Sequence, residues 1–135
     1  MGIAALITWL STAGGGLYLL AVWLIEYDRE FQAAAQTRLP IPVISGHVLL
    51  AVTGLVLWAA YLFTDSAKLA WAALAVLGGV VALGLTMAWR WLRVYRAPGS
   101  PAAPPERSFP VPVVIGHGVL AALTVTLVAI TALSG

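Results

Sequence analysis

Four long apolar runs account for most of this 135-residue chain. They cover approximately residues 3–25, 42–63, 68–91 and 112–133. Three of them contain no charged residue, and the third carries charge only near its ends, at Lys68 and Arg90. About 20 consecutive apolar residues are enough to cross the hydrocarbon core of a bilayer as a helix. We therefore predict an all-α membrane protein, a single domain formed by a bundle of four transmembrane helices.

The composition agrees with a lipid environment. Hydrophobic residues make up 61% of the chain and charged residues only 9%, whereas a soluble domain carries roughly 25% charged residues. We expect the lipid bilayer to surround the bundle, and the cell membrane to be its location. The lack of cysteine excludes disulfides, thiolate metal sites and iron–sulfur clusters. We expect no nucleic-acid partner.

An internal repeat contains both histidines of the chain. Residues 39–47 align without gaps on residues 109–117, at an offset of 70, and both segments follow the pattern [Leu/Phe]-Pro-x-Pro-Val-x-x-Gly-His. We predict two helical-hairpin repeats, residues 1–65 and 66–135 approximately. Parallel repeats are related by a pseudo-two-fold axis along the membrane normal, which would make the second and fourth helices face each other. We extend the repeat to the other two helices by matching residues 14–16 with residues 78–79.

The prolines of the repeat predict how its helices begin. Pro42 and Pro112 are expected at the first helical position, where the missing N–H costs nothing. Pro40 and Pro110 would keep the preceding chain extended. Between the third and fourth helices, residues 97–105 are rich in proline, alanine and glycine, and we predict a linker there.

The basic residues predict the orientation in the membrane. Six arginines lie in or beside the two longer loops, and Lys68 alone lies on the opposite side; the six are Arg29, Arg38, Arg90, Arg93, Arg96 and Arg107. The positive-inside rule places these loops in the cytoplasm and both termini outside. Aromatic residues near the helix ends are expected to anchor the interfaces. The set at the loop end is Trp23, Tyr27, Trp89, Trp91 and Tyr95, and the opposite set is Trp58, Tyr61, Phe63 and Trp71.

Both histidines are predicted to point into the bundle, at equal depth. Each is followed along its helix face by small or weakly polar residues, which mark helix–helix contact faces in membranes: Ala51 and Gly54 follow His47, and Ala121 and Thr124 follow His117. The opposite faces carry bulky aliphatic residues: Leu49, Val52, Val56, Val119, Leu123 and Ile130. Ionisable groups inside a membrane usually mark functional sites. The alternative is that each histidine merely hydrogen-bonds a neighbouring helix, at a gain of about 0.6–2 kcal/mol.

Two facing imidazoles favour axial ligation of one haem b. Gly46 and Gly116, directly before the histidines, would leave room for the porphyrin edge. Arginines suit the pairing of propionates, and Arg38, Arg90, Arg93 and Arg107 lie at the nearer surface, although the topological bias alone also explains basic residues there. We predict a small b-type cytochrome-like membrane protein, with His47 and His117 as metal ligands, that passes electrons to or from a quinone or a partner subunit.

Two other classes of function stay open. The chain would also suit an accessory or structural subunit of a larger membrane complex. A small proton-coupled transporter would need a homo-oligomer to enclose a pathway, and it usually relies on carboxylates within the spans. A zinc or copper site is disfavoured, because it would need about three or four ligands and the chain offers two histidines and no cysteine. We therefore expect an electron-transfer or accessory protein rather than a stand-alone enzyme.

Overall fold

A computed structural model of the chain describes residues 1–31, 37–97 and 104–134, with residues 28–31 described by their helical backbone alone. Four long helices follow one another in these residues: α1 (Gly2–Phe31), α2 (Ile41–Thr64), α3 (Ala67–Arg96) and α4 (Val111–Ser134). All four are long and apolar enough to cross a membrane. This confirms the prediction of an all-helical protein with four spans.

The proline segment before α2 starts the helix as predicted, but one residue earlier in the sequence. Pro40 precedes α2 in extended conformation, as predicted, but the helix begins at Ile41, so Pro42 occupies the second helical position and not the first. Both positions tolerate proline because their N–H groups lack intrahelical acceptors. At the other end Asp65 adopts a left-handed conformation with φ 53° and donates its N–H to the Tyr61 carbonyl at 2.8 Å. This tight turn leads directly into α3.

The helices pack in the order α1, α2, α3, α4 around the bundle. α2 packs mainly against α3 and α1 mainly against α4, while the α3–α4 and α1–α2 contacts are smaller. Within the described residues, α2 and α4 make no close backbone contact, and neither do α1 and α3. The two histidine-bearing helices are therefore diagonal neighbours. The most extensive packing joins the first half of the chain to the second, so the halves do not form separate units.

The main hydrophobic core lies at the end of the bundle that holds both termini. Its buried residues come from all four helices and are Ala5, Trp9, Trp58, Ala70, Ala73, Leu77, Val80, Val128 and Ala132. The indole N–H of Trp58 donates to the Gly2 carbonyl at 3.1 Å. Trp58 is fully buried, so it is a core residue and not the interfacial anchor that the sequence predicted. Phe63 and Trp71 of the same predicted set are exposed.

The loop end of the bundle is closed by a short 3-10 helix, Pro105–Ser108, that packs on α1 and α3. Its residues Pro105 and Glu106 are buried, as are Trp23 and Trp91. Those two tryptophans are thus packed inside the bundle, contrary to their predicted role as anchors, whereas Trp89 is exposed. The side chain of Arg29 and most of the predicted linker, residues 98–103, lie outside the described residues.

The predicted faces of α2 and α4 are confirmed. Gly54 and Trp58 are buried on α2, and Thr124, Val128 and Thr131 are buried on α4. The aliphatic residues assigned to the opposite faces are between 41% and 67% exposed; they are Leu49, Val52, Val56, Val119, Leu123 and Ile130. In a protein that spans a membrane, this exposed surface faces the acyl chains.

Candidate functional site

His47 and His117 face each other across the bundle. Their ring centroids are 6.3 Å apart and the ring planes are inclined at 58°. Each histidine is the seventh residue of its helix, since α2 begins at Ile41 and α4 at Val111. At about 1.5 Å per residue both rings lie roughly 9 Å from the start of their helices. The predictions that both imidazoles point inward, at equal depth, are confirmed.

Each imidazole is held by a backbone carbonyl of the helix beside it. Nδ1 of His47 lies 3.0 Å from the Val80 carbonyl oxygen on α3, and Nδ1 of His117 lies 2.9 Å from the Thr12 carbonyl oxygen on α1. A carbonyl oxygen only accepts hydrogen bonds, so Nδ1 is the protonated nitrogen in both rings. In a neutral imidazole the other nitrogen, Nε2, then has a free lone pair. Both histidines are therefore in the tautomer that binds a metal through Nε2.

A glycine one helical turn after each carbonyl makes room for the ring. Gly16 follows Thr12 by four residues, and a Cβ added there would lie 3.0 Å from Cε1 of His117. Gly84 follows Val80 by four residues, and its Cβ would lie 3.2 Å from Cε1 of His47. These distances are shorter than ordinary carbon–carbon contacts of about 3.5–4.0 Å. Glycine thus lets each imidazole approach the helix backbone and reach the carbonyl.

These supporting residues were missed by the sequence analysis, although the sequence contains a signal for them. An offset of 68 relates Thr12 to Val80 and Gly16 to Gly84, and it also pairs two identical patterns, Gly-Leu-x5-Trp-Leu-x2-Tyr, at residues 16–27 and 84–95. The predicted match had paired residues 14–16 with residues 78–79. The equivalent contacts instead pair Gly16 with Gly84, while a Cβ at Gly78 would meet no atom within 4 Å.

The section of the bundle around the histidines is less tightly packed than its two ends. No residue in segments 10–22, 41–53, 81–90 and 111–123 is buried, although each segment contains residues that point inward. Buried residues lie on both sides of this layer: in the hydrophobic core at one end, and beneath the 3-10 helix at the loop end. A Cβ added at Gly116 would meet nothing within 4 Å, and one at Gly46 would meet only Leu83. There is therefore free space beside Gly116, whereas the Leu83 side chain already fills the position beside Gly46.

The four arginines predicted to pair with propionates lie at the loop end. Arg90 donates from Nη1 to the Arg38 carbonyl at 3.1 Å, while the Arg38 side chain is exposed. Arg93 places its guanidinium 5.0 Å from the ring centre of the exposed Trp89. Arg107 donates from Nη1 to the carbonyls of Val94 and Ala97 at the end of α3. In the part of the chain that the structure describes, no hydrogen bond joins these arginines to the histidines, so their pairing with a cofactor stays a prediction.

A buried carboxylate, also missed by the sequence analysis, fastens the two loops together. Glu106 is 0% exposed and accepts hydrogen bonds from the Thr37 hydroxyl at 3.0 Å and from the Arg38 backbone N–H at 2.6 Å. Thr37 in turn accepts the indole N–H of Trp23 at 3.2 Å. Residues from α1 and both loops thus share one network. This network fixes where α2 and α4 begin, and it thereby helps to position the two histidines.

Removing the Glu106 carboxylate is expected to loosen this end of the bundle. In Glu106→Ala the Thr37 hydroxyl and the Arg38 N–H lose their acceptor, and a buried polar group left unpaired costs about 1–3 kcal/mol. We expect the midpoint of thermal unfolding in detergent to fall. Ser108→Ala, an exposed change in the same 3-10 helix, should leave it unchanged. An equal midpoint for both variants would contradict the structural role of Glu106.

No protein-family model, curated protein or solved structure matches this chain. The geometry of the histidine pair therefore carries the argument about function. Within the described residues, no group of three or more His, Asp or Glu side chains is placed to hold a metal ion. The chemistry available at this site is that of two imidazoles whose Nε2 atoms are free to bind.

Proposed function

We propose that this protein is a small membrane cytochrome of the b type, which binds one haem b with His47 and His117 as the two axial ligands. The observation that carries the proposal is the pair of facing imidazoles, 6.3 Å apart, each fixed through Nδ1 to a carbonyl of a neighbouring helix. Histidine is a common axial ligand of haem iron. Bound haem would supply one-electron transfer between ferric and ferrous iron.

The separation of the rings suits a shared iron. A metal–imidazole nitrogen bond is about 2.0–2.1 Å long, so imidazoles on opposite sides of one ion would have ring centroids about 6.3 Å apart. The observed separation is 6.3 Å. A diagonal pair of helices also leaves width for a flat macrocycle, whose edges would extend between the remaining two helices. The layer without buried residues lies at the same depth.

The hydrogen bonds at Nδ1 have a defined role in this proposal. Metal-bound histidines usually donate their second N–H to a carbonyl or carboxylate, which fixes the tautomer and the ring orientation and makes the ligand more basic. Thr12 and Val80 provide those carbonyls, and Gly16 and Gly84 give access to them. All four residues would therefore be positioning residues for the two axial ligands.

The finer architecture and the surroundings are part of the same proposal. We propose that α1–α2 and α3–α4 are parallel repeats related by a two-fold axis along the membrane normal, with both loops in the cytoplasm and both termini outside the plasma membrane. The offsets of 70 in α2 and α4 and 68 in α1 and α3 support the repeat. An electron partner, either a quinone in the bilayer or a neighbouring subunit, would meet the haem edge from the membrane.

Absorption spectroscopy tests the proposal. Protein purified in detergent from haem-supplied cells should contain one haem b per chain and show sharp α-bands after reduction by dithionite. Ser45→Ala, a change on the exposed side of α2, should behave identically. A colourless preparation that does not take up added haem would contradict the proposal and favour an accessory subunit or a transporter.

Cysteine labelling tests the proposed orientation. The chain has no cysteine, so single cysteines can be introduced without background at two exposed sites, Asp65→Cys in the α2–α3 turn and Ser108→Cys at the loop end. We expect a membrane-impermeant maleimide to label Asp65→Cys in intact cells, and Ser108→Cys only after the membrane is opened. The reverse pattern would invert the orientation, and labelling of both in intact cells would contradict the four-span topology.

A further inference from the structure

The indole N–H of Trp91 is a buried hydrogen-bond donor that has no acceptor among the described residues. It is the one buried side-chain polar group without a partner in the part of the chain that the structure describes. Trp91 is only 9% exposed, and its ring stacks on Tyr95 with centroids 5.3 Å apart. Buried polar groups are nearly always paired, because an unpaired donor destabilises the folded protein. This donor is therefore available to an acceptor that the described residues do not supply.

Trp23, at the equivalent position of α1, shows the contrast. The offset of 68 pairs Trp23 with Trp91, and Trp23 is likewise buried and stacked on a tyrosine four residues later, Tyr27. Its indole N–H, however, donates to the Thr37 hydroxyl, which donates to the carboxylate of Glu106. Within the described residues, the loops thus supply an acceptor and a negative charge on the Trp23 side and not on the Trp91 side. The indole N–H of Trp91 is thus free to donate to a ligand.

The position of Trp91 relates this donor to the histidine pair. Val80, Gly84 and Trp91 are spaced by four and seven residues, which places them on one face of α3. The first two contact His47. Trp91 lies about 10 Å beyond Gly84 along the helix, toward the loop end. The carboxylates of haem b leave one edge of the macrocycle, at a comparable distance from the iron.

We propose that the indole N–H of Trp91 donates a hydrogen bond to one carboxylate of the bound haem, and so fixes the haem with its carboxylates toward the loop end. This inference rests on the proposed function. The charges nearby agree with it: Arg107 brings its guanidinium to the Val94 and Ala97 carbonyls, within two turns of Trp91 on the same helix. That positive charge favours a carboxylate at the Trp91 side, whereas Glu106 already supplies one at the Trp23 side.

The test compares haem with its dimethyl ester, whose uncharged ester carbonyls accept a weaker hydrogen bond than carboxylates do. Each ligand is titrated into apoprotein of the wild type, Trp91→Phe and the matched control Trp23→Phe. We expect Trp91→Phe to weaken haem binding about tenfold or more, and to weaken ester binding much less. Trp23→Phe should change both affinities by the same factor. Replacing Trp91 by benzothienylalanine, which removes only the N–H, should reproduce the effect of Trp91→Phe.

Three results would overturn the inference while leaving the proposed function intact. The first is wild-type haem affinity in both Trp91 variants, and the second is an equal loss for haem and ester. The third is weaker quinone binding with unchanged haem binding, which would assign the donor to a quinone. If the wild type binds neither haem nor ester, the proposed function itself fails. Thermal unfolding of the apoprotein gives an independent readout, for which benzothienylalanine is used at both positions because a buried Trp→Phe change also leaves a cavity. The replacement of Trp91 should not lower the midpoint, whereas the replacement of Trp23, which removes a paired N–H, should. An equal fall in both would show that Trp91 has a protein acceptor.

Discussion

Replacing either His47 or His117 by alanine is expected to abolish the low-spin haem spectrum. Each single variant loses one of two axial ligands, so the iron becomes five-coordinate or the haem is not retained. The double variant His47→Ala/His117→Ala should add little to either single change, because groups that act on one shared partner are strongly non-additive. The measurement is the absorption spectrum of each purified variant, oxidised and then reduced, together with its haem content.

Packing histidines would behave differently. If each imidazole only joined two helices through its Nδ1 hydrogen bond, each alanine would cost about 1 kcal/mol of stability. The two losses would then add, and the spectrum would not change. Additive losses of stability without a spectral change would therefore contradict the shared haem. Ser45→Ala, two residues before His47 but on an exposed position, is the control for general damage to α2.

Adding one methyl group at Gly16 or Gly84 is expected to weaken haem binding indirectly, by displacing the histidine that packs against it. In Gly84→Ala the new Cβ would lie 3.2 Å from Cε1 of His47, and in Gly16→Ala it would lie 3.0 Å from Cε1 of His117. The ring must move away and its bond to the carbonyl is stretched. Loss of such supporting bonds typically lowers metal affinity about 10–100-fold. We expect a similar loss of haem affinity, with high-spin haem in the fraction that stays bound.

Two other glycines of the same helices provide matched controls. A Cβ added at Gly14 or at Gly78 would meet no atom within 4 Å. Because nothing has to move, Gly14→Ala and Gly78→Ala should keep wild-type haem affinity. The helices themselves should not be weakened, since alanine is a better helix former than glycine by about 1 kcal/mol. Equal haem affinity in all four alanine variants would contradict a role of Gly16 and Gly84 in positioning the histidines.

Much of the fold and the centre of the site were predictable from the sequence. Four apolar runs predicted four spans, because the bilayer sets the length of a helix that crosses it. The small residues following His47 and His117 predicted which way the rings point. Both predictions depend on local periodicity, which can be recognised in the sequence itself. The Pro-x-Pro-Val-x-x-Gly-His repeat likewise predicted that both rings lie at one depth.

The supporting residues were harder to predict because they depend on contacts between distant parts of the chain. Thr12 and Val80 act through backbone carbonyls, which no side-chain pattern reveals. Trp23 and Trp91 lie where aromatic residues usually anchor a membrane interface, and only the packing of the 3-10 helix against α1 and α3 shows that they are buried. Glu106 belongs to a Pro-rich stretch, and its burial depends on Thr37 and Arg38, which are far away in sequence.

Electron paramagnetic resonance of the ferric wild-type protein tests the central claim most directly, because it reports the ligands of the iron. We predict one low-spin ferric haem per chain with two imidazole ligands, and with the anisotropy expected when the ligand planes are inclined as His47 and His117 are, at 58°. A high-spin ferric signal in the wild type, or a low-spin signal that survives in both His47→Ala and His117→Ala, would contradict the ligation of one haem by this pair.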